Sequence, residues 1–167
     1  MLRLSHRHAI LFSGLVWLLI GVFLIYKGLN YMVMTGDHLR DHYIQGLPLI
    51  RFFSSFSKDL NQAALFFICT SLLLGYVKGR FALKKSVYRV VSRITSFPSP
   101  VPLSKIYSLG YLVLICSMMG MGMVFKHLPL SVDIKGFIDF TIGAALINGA
   151  MLYIREAIKV SKKSFAS

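Results

Sequence analysis

Four stretches of this chain, Ala9–Tyr26, Leu60–Val77, Tyr107–Phe125 and Gly136–Ile154, are apolar and nearly free of charge. Each supplies the roughly 15–20 positions that a helix needs to cross a hydrocarbon core about 30 Å thick. In lipid every backbone N–H and C=O must find an internal partner, so each stretch is expected to be helical. A transmembrane β-barrel would alternate apolar with polar residues, and these stretches do not. The expected fold class is therefore all-α, an integral membrane four-helix bundle. It forms one membrane domain over residues 1–167, with spans at about 9–27, 60–78, 107–126 and 136–155. Composition agrees, since 56% of residues are apolar, more than a soluble domain of this length requires.

The distribution of charge gives an orientation. Arg3 and Arg7 precede the first span. Lys78, Arg80, Lys84, Lys85, Arg89, Arg93 and Lys105 lie between the second and third, a connection without any acid. Arg155, Lys159, Lys162 and Lys163 follow the fourth. Only Lys27, Arg40, Arg51, Lys58, Lys126 and Lys135 belong to the other side, which also holds Asp37, Asp41, Asp59, Asp133 and Asp139. Lysine and arginine concentrate in cytoplasmic loops, so both termini and the central connection are expected in the cytoplasm. The net charge of +13 would otherwise raise nucleic acid as a partner. Its placement beside apolar spans points instead to the lipid bilayer and its anionic headgroups. The first span reads as a retained signal anchor, because its apolar run is too long for a signal peptide and no A-x-A-like site follows.

The central connection carries a second pattern. Leu83, Val87, Val90, Val91 and Ile94 share one helical face, and Lys85, Arg89 and Arg93 line the opposite one. This predicts an amphipathic cytoplasmic helix over about 80–94, lying on the inner leaflet and continuing the second span with a bend near Gly79. Lys84, Lys85, Arg89 and Arg93 would contact lipid headgroups. The Pro-rich segment 97–103 is expected to be extended, a stiff connector to the third span. In the first external loop, Leu47–Phe53 is apolar enough to dip into the interface but too short to cross.

Spans one and three align without gaps at an offset of 99 residues, bringing Gly21 onto Gly120, Lys27 onto Lys126 and Leu29 onto Leu128. Tyr76-Val77-Lys78 and Tyr153-Ile154-Arg155 likewise correspond. The expected arrangement is two tandem helical hairpins, a parallel repeat with any site at the repeat interface. Interfacial tyrosines and snorkelling lysines account for part of the same likeness. Gly14, Gly21 and Gly28 recur every seven residues and stay on one face, with Gly120 and Gly122 thinning the third helix. Small residues let membrane helices approach closely, so these five are expected at packing seams.

Polar residues inside the spans are few. Asp139, one turn into the fourth span, marks an ion pathway or makes an interfacial ion pair with Lys135 one turn away. Asn148, deeper in the same helix, must hydrogen-bond another helix or a ligand. With Lys27 and Lys126 these are the transport-pathway candidates. Cys116, Met119, Met123 and His127 share a face with soft donors, but over some three turns they cannot close on one copper ion. His38 and His42, at i, i+4 spacing outside the membrane, are weak zinc candidates set against plain solvation, so no metal is expected. Cys69 and Cys116 read as small packing residues. No G-x-S-x-G, H-E-x-x-H or phosphate-cradling glycine loop occurs, so neither an enzyme nor a cofactor is expected.

The run from Gly79-Arg80-Phe81 to Pro98-Ser99-Pro100-Val101-Pro102-Leu103, followed by Tyr111 to Gly122, resembles a group of small bacterial inner-membrane proteins. They share a basic helix, a proline connector and a Met/Gly-rich third span. The resemblance covers roughly the C-terminal half and implies a four-helix, multi-pass topology in the bacterial inner membrane. It brings no activity and no functional residue. Two functions follow as expectations. One is a small transporter or channel-like protein, a homo-oligomer with Asp139, Asn148, Lys27 and Lys126 near its pathway. The other is a non-catalytic accessory subunit of a membrane complex, docking a membrane-protein partner through its basic helix.

Overall fold

The computed structural model describes residues 3–40, 47–56, 59–98, 100–102, 113, 120, 124 and 127–165. They are mostly helical, as the sequence requires. Helix α1 runs His6–Arg40, the short α2 Pro48–Ser54, α3 Leu60–Ser96 and α4 Val132–Phe165. Helices α1, α3 and α4 are each long and apolar enough to cross a membrane. Each also overruns the apolar stretch that predicted it. The third predicted span, 107–126, lies outside the described residues apart from Val113, Gly120 and Val124.

Helix α4 lies between α1 and α3, which touch each other little. The glycines decide this order. A methyl group added at Gly14 would meet the Tyr153 Cβ at 2.9 Å, at Gly21 the Gly143 carbonyl at 3.0 Å, and at Gly28 the Phe140 nitrogen at 3.0 Å. Numbers rising on α1 meet numbers falling on α4, so the two helices are antiparallel. On the other flank, Gly75 would meet the Thr141 carbonyl at 2.6 Å and Gly79 the Ala145 carbonyl at 2.8 Å. Here both numbers rise, so α3 and α4 are parallel. The chain therefore leaves α3 at one end of the bundle and enters α4 at the other.

The seven-residue spacing of Gly14, Gly21 and Gly28 thus marks a real seam, continued across it by Gly136 and Gly143. Gly120 differs. It is exposed, and an added Cβ there would meet nothing within 4 Å. Gly122 lies outside the described residues.

The expected surface helix over 80–94 takes another place. Helix α3 runs through Gly79 without interruption, and Gly79 is a contact with α4. The apolar stripe is turned to the protein: Val87, Val90, Val91 and Ile94 are buried with Ala9 and Ile10 of α1 and Leu146, Ala150, Tyr153 and Ala157 of α4. Trp17 packs edge-on against Tyr153, ring centroids 5.7 Å apart. The physical reason is supply: α1 and α4 extend alongside this segment and offer an apolar surface that a leaflet would otherwise provide. An Ile94→Ala variant should therefore lose about 2–4 kcal/mol of unfolding free energy, measured in detergent. A lipid-facing Ile94 would be nearly neutral to that change.

A small latch closes this end. Arg3–Leu4 (β1) pairs antiparallel with Val101–Pro102 (β2), Arg3 opposite Pro102 and Leu4 opposite Val101. The His6 Nε2–H donates to the Phe97 carbonyl at 2.8 Å. Val101–Pro102, within the proline-rich segment, is thus extended and tied to the N-terminus.

Candidate functional site

The α1–α4 seam brings two of the pathway candidates together. Lys27 precedes Gly28 and Asp139 precedes Phe140, the residues where the two backbones come closest at that level. With no side chain to separate the helices, the Lys27 Nζ reaches the Asp139 Oδ2 at 2.9 Å. Sequence spacing nominated Lys135 as the partner, one turn away on the same helix; the structure supplies Lys27 from the neighbouring helix. The pair is sheltered more on the acid side, with side chains 33% and 14% exposed for Lys27 and Asp139. The Tyr31 ring, one turn along α1, lies 5.6 Å from the ammonium and adds a cation–π contact.

Asn148 does not join them. Nine residues beyond Asp139, it sits on the opposite side of α4, since nine steps of about 100° end half a turn away. Its Cβ presses on Gly79 of α3, and its Nδ2 donates to the Ala144 carbonyl at 3.3 Å within its own helix. Lys126 lies outside the described residues, as do Cys116, Met119 and Met123 and the side chains of His38 and His42. Among the described residues no group of three or more His, Cys, Asp or Glu is placed to hold a metal ion.

The basic residues lie on two sides of α3, with Lys78, Lys85, Arg89 and Arg93 on one and Arg80 and Lys84 on another. Lys78, Arg80, Lys84, Lys85, Arg89 and Arg93 are all exposed. Aromatic neighbours hold several of them: Lys84 lies over Tyr88 and Arg93 over Phe97, each 5.9 Å from the ring centroid. Arg80 Nη1 donates to the Tyr76 hydroxyl at 3.2 Å. The four residues expected to meet headgroups are therefore presented outward, along the bundle axis rather than across a helix lying flat.

Sequence reasoning missed Asp133. It is 1% exposed, yet its carboxylate is saturated with donors. Oδ2 accepts from the backbone N–H of Leu49 at 2.8 Å and of Ile50 at 3.2 Å, and Oδ1 from Ile134 N–H at 2.8 Å. One carboxylate thus caps α2 from another helix while it begins α4. The signal was present: Leu47 before Pro48 has no side-chain acceptor for the free N–H groups of α2, so a cap from elsewhere was required. Asp133→Ala should cost about 2–4 kcal/mol by leaving those buried donors unpaired. Asp133→Asn, which keeps one acceptor oxygen, should cost less. Thermal unfolding in detergent of both variants checks the order.

No protein-family model, curated protein or solved structure matches the chain. The resemblance drawn from residues 79–122 gains no support there, and the function must be argued from the arrangement itself.

Proposed function

We propose that this chain is a multi-pass integral membrane protein of the bacterial inner membrane that serves as a non-catalytic accessory subunit. Its four spans are α1, α3, the third apolar stretch at 107–126, and α4. A return crossing between α3 and α4 is needed because α3 stops at one end of the bundle and α4 starts at the other. The termini and the basic part of α3 face the cytoplasm, because the end holding Arg7, Arg89, Arg93 and Arg155 is the one that the positive-inside rule keeps there.

The observation that carries the accessory role is the closed α1–α4 seam. Transport needs a polar path that opens towards the midplane. Backbone instead meets backbone along this seam, with methyl-sized additions excluded at Gly14, Gly21, Gly28 and Gly143. The intramembrane acid beside it is neutralised by Lys27. In the two-hairpin arrangement α1 and α4 come from different hairpins, so this closed seam is part of the repeat interface, as is the contact of Gly75 and Gly79 of α3 with α4. The exposed basic residues of α3 form the docking surface, and anionic headgroups meet its membrane-proximal lysines.

Affinity isolation from native membranes in mild detergent, followed by mass spectrometry of the intact particle, tests the role. A stoichiometric foreign membrane protein is the expected result. A homo-oligomer alone would overturn the accessory role in favour of transport.

A further inference from the structure

Helix α2 and the residues that flank it, Leu47 and the turn at Ser55–Phe56, present three distinct sides. Leu47 and Ile50 are buried against the bundle, and Phe53 stacks edge-on with Phe67 of α3 at 5.9 Å, which in turn meets Phe137 of α4 at 5.3 Å. Phe52 and Phe56, four residues apart, form a second side. They are 59% and 72% exposed and pair with each other at 5.3 Å. Arg51 and Ser55, also four apart, form a third, exposed and polar side. Sequence alone pointed to Leu47–Phe53 as the interfacial segment; most of that apolar surface is instead taken up by protein contacts, and the outward aromatics are Phe52 and Phe56.

The level of α2 is fixed by its contacts. Asp133 holds its N-terminus three residues before Gly136, where the fourth apolar stretch begins. Phe53 meets Phe67, about two turns into the second stretch. Helix α2 therefore sits where α3 and α4 change from polar to apolar, near the level at which α3 exposes Leu65 and Phe66. A helix with one side on protein, one aromatic and one cationic fits a single environment, the boundary between hydrocarbon and water.

We propose that α2 is an outer-leaflet anchor, with Phe52 and Phe56 inserted into the lipid surface and Arg51 at the phosphate level. This rests on the membrane reading above. Asp133 is the device that makes it rigid, since the capped N-terminus fixes how the helix lies. The occupant of the aromatic side is lipid, because Asp133 and Phe67 hold α2 at the level where the apolar stretches of α4 and α3 begin.

Spin labels at single cysteines test this in phosphatidylcholine/phosphatidylglycerol vesicles, with Cys69 and Cys116 replaced by serine. Collision with oxygen reports hydrocarbon, and collision with a water-soluble nickel chelate reports solvent. Phe56→Cys should be oxygen-accessible and shielded from nickel, whereas Arg51→Cys on the same helix should show the reverse. Leu19→Cys, exposed on α1 and far from α2, reports the membrane reading by itself. Leu19 in lipid with Phe56 in water would overturn the anchor alone. Phe56 and Arg51 at equal depth would overturn it too, because the helix would then have no sided face. Leu19 in water would overturn the membrane reading.

Discussion

A Gly143→Val substitution should be among the most damaging single changes in this protein. An added Cβ at Gly143 would stand 2.8 Å from the Gly21 carbonyl oxygen and 2.8 Å from the Ile25 Cγ1. One of these obstacles is backbone, so no rotamer change relieves it, and α1 must move away from α4. Overpacking of this kind costs about 1–3 kcal/mol, and more where backbone blocks relaxation. Separation would also weaken the Gly14 and Gly28 contacts on the same seam. We expect a loss of about 3 kcal/mol or more, read from denaturant unfolding in detergent. Gly136→Ala provides the graded comparison. Its nearest obstacle is the Tyr31 Cβ at 3.2 Å, a side-chain atom that shifts readily, so a smaller loss is expected there.

The second large effect concerns the ion pair. Lys27→Met removes the cation and leaves Asp139, only 14% exposed, without its partner. Breaking a buried pair from one side costs about 3–5 kcal/mol. Lys27 is a third exposed, so solvent and headgroups offset part of that, and about 2 kcal/mol is expected. Asp139→Asn strands a lysine that can snorkel outward, so its loss should be the smaller of the two. The double variant Lys27→Met/Asp139→Asn should recover much of the stability, because neither charge then remains in the seam. A double-mutant cycle in detergent measures this directly. Additive losses would mean that the two side chains act independently.

These two sites show what could be read from the chain beforehand. Gly14, Gly21 and Gly28 announced a seam because a seven-residue period keeps small residues on one helical face, whatever lies opposite. What lies opposite was not legible. Periodicity carries no information about which neighbour fills the groove, and α4 took it rather than α3. The partner of Asp139 was misread for the same reason. Helical spacing nominates Lys135, whereas Lys27 is more than a hundred residues away and becomes adjacent only when the seam forms. The amphipathic stripe from Leu83 to Ile94 was legible as a stripe, but an apolar face fits a leaflet and a protein core equally well. Asp133 stayed hidden because a cap between remote segments leaves only a deficiency in the sequence, the unprotected start of α2 at Leu47-Pro48.

The central claim is a bundle that crosses the membrane with α1 opposed in direction to α3 and α4. Its most direct test is the sidedness of single cysteines at Ser5, Ser92 and Ser55, all exposed, in a background lacking Cys69 and Cys116. A membrane-impermeant thiol reagent should label Ser55→Cys in intact cells, and Ser5→Cys and Ser92→Cys only after permeabilisation. Labelling of Ser5→Cys and Ser92→Cys from opposite sides would contradict the account, because the latch from His6 to Phe97 holds those two positions at one end of the bundle.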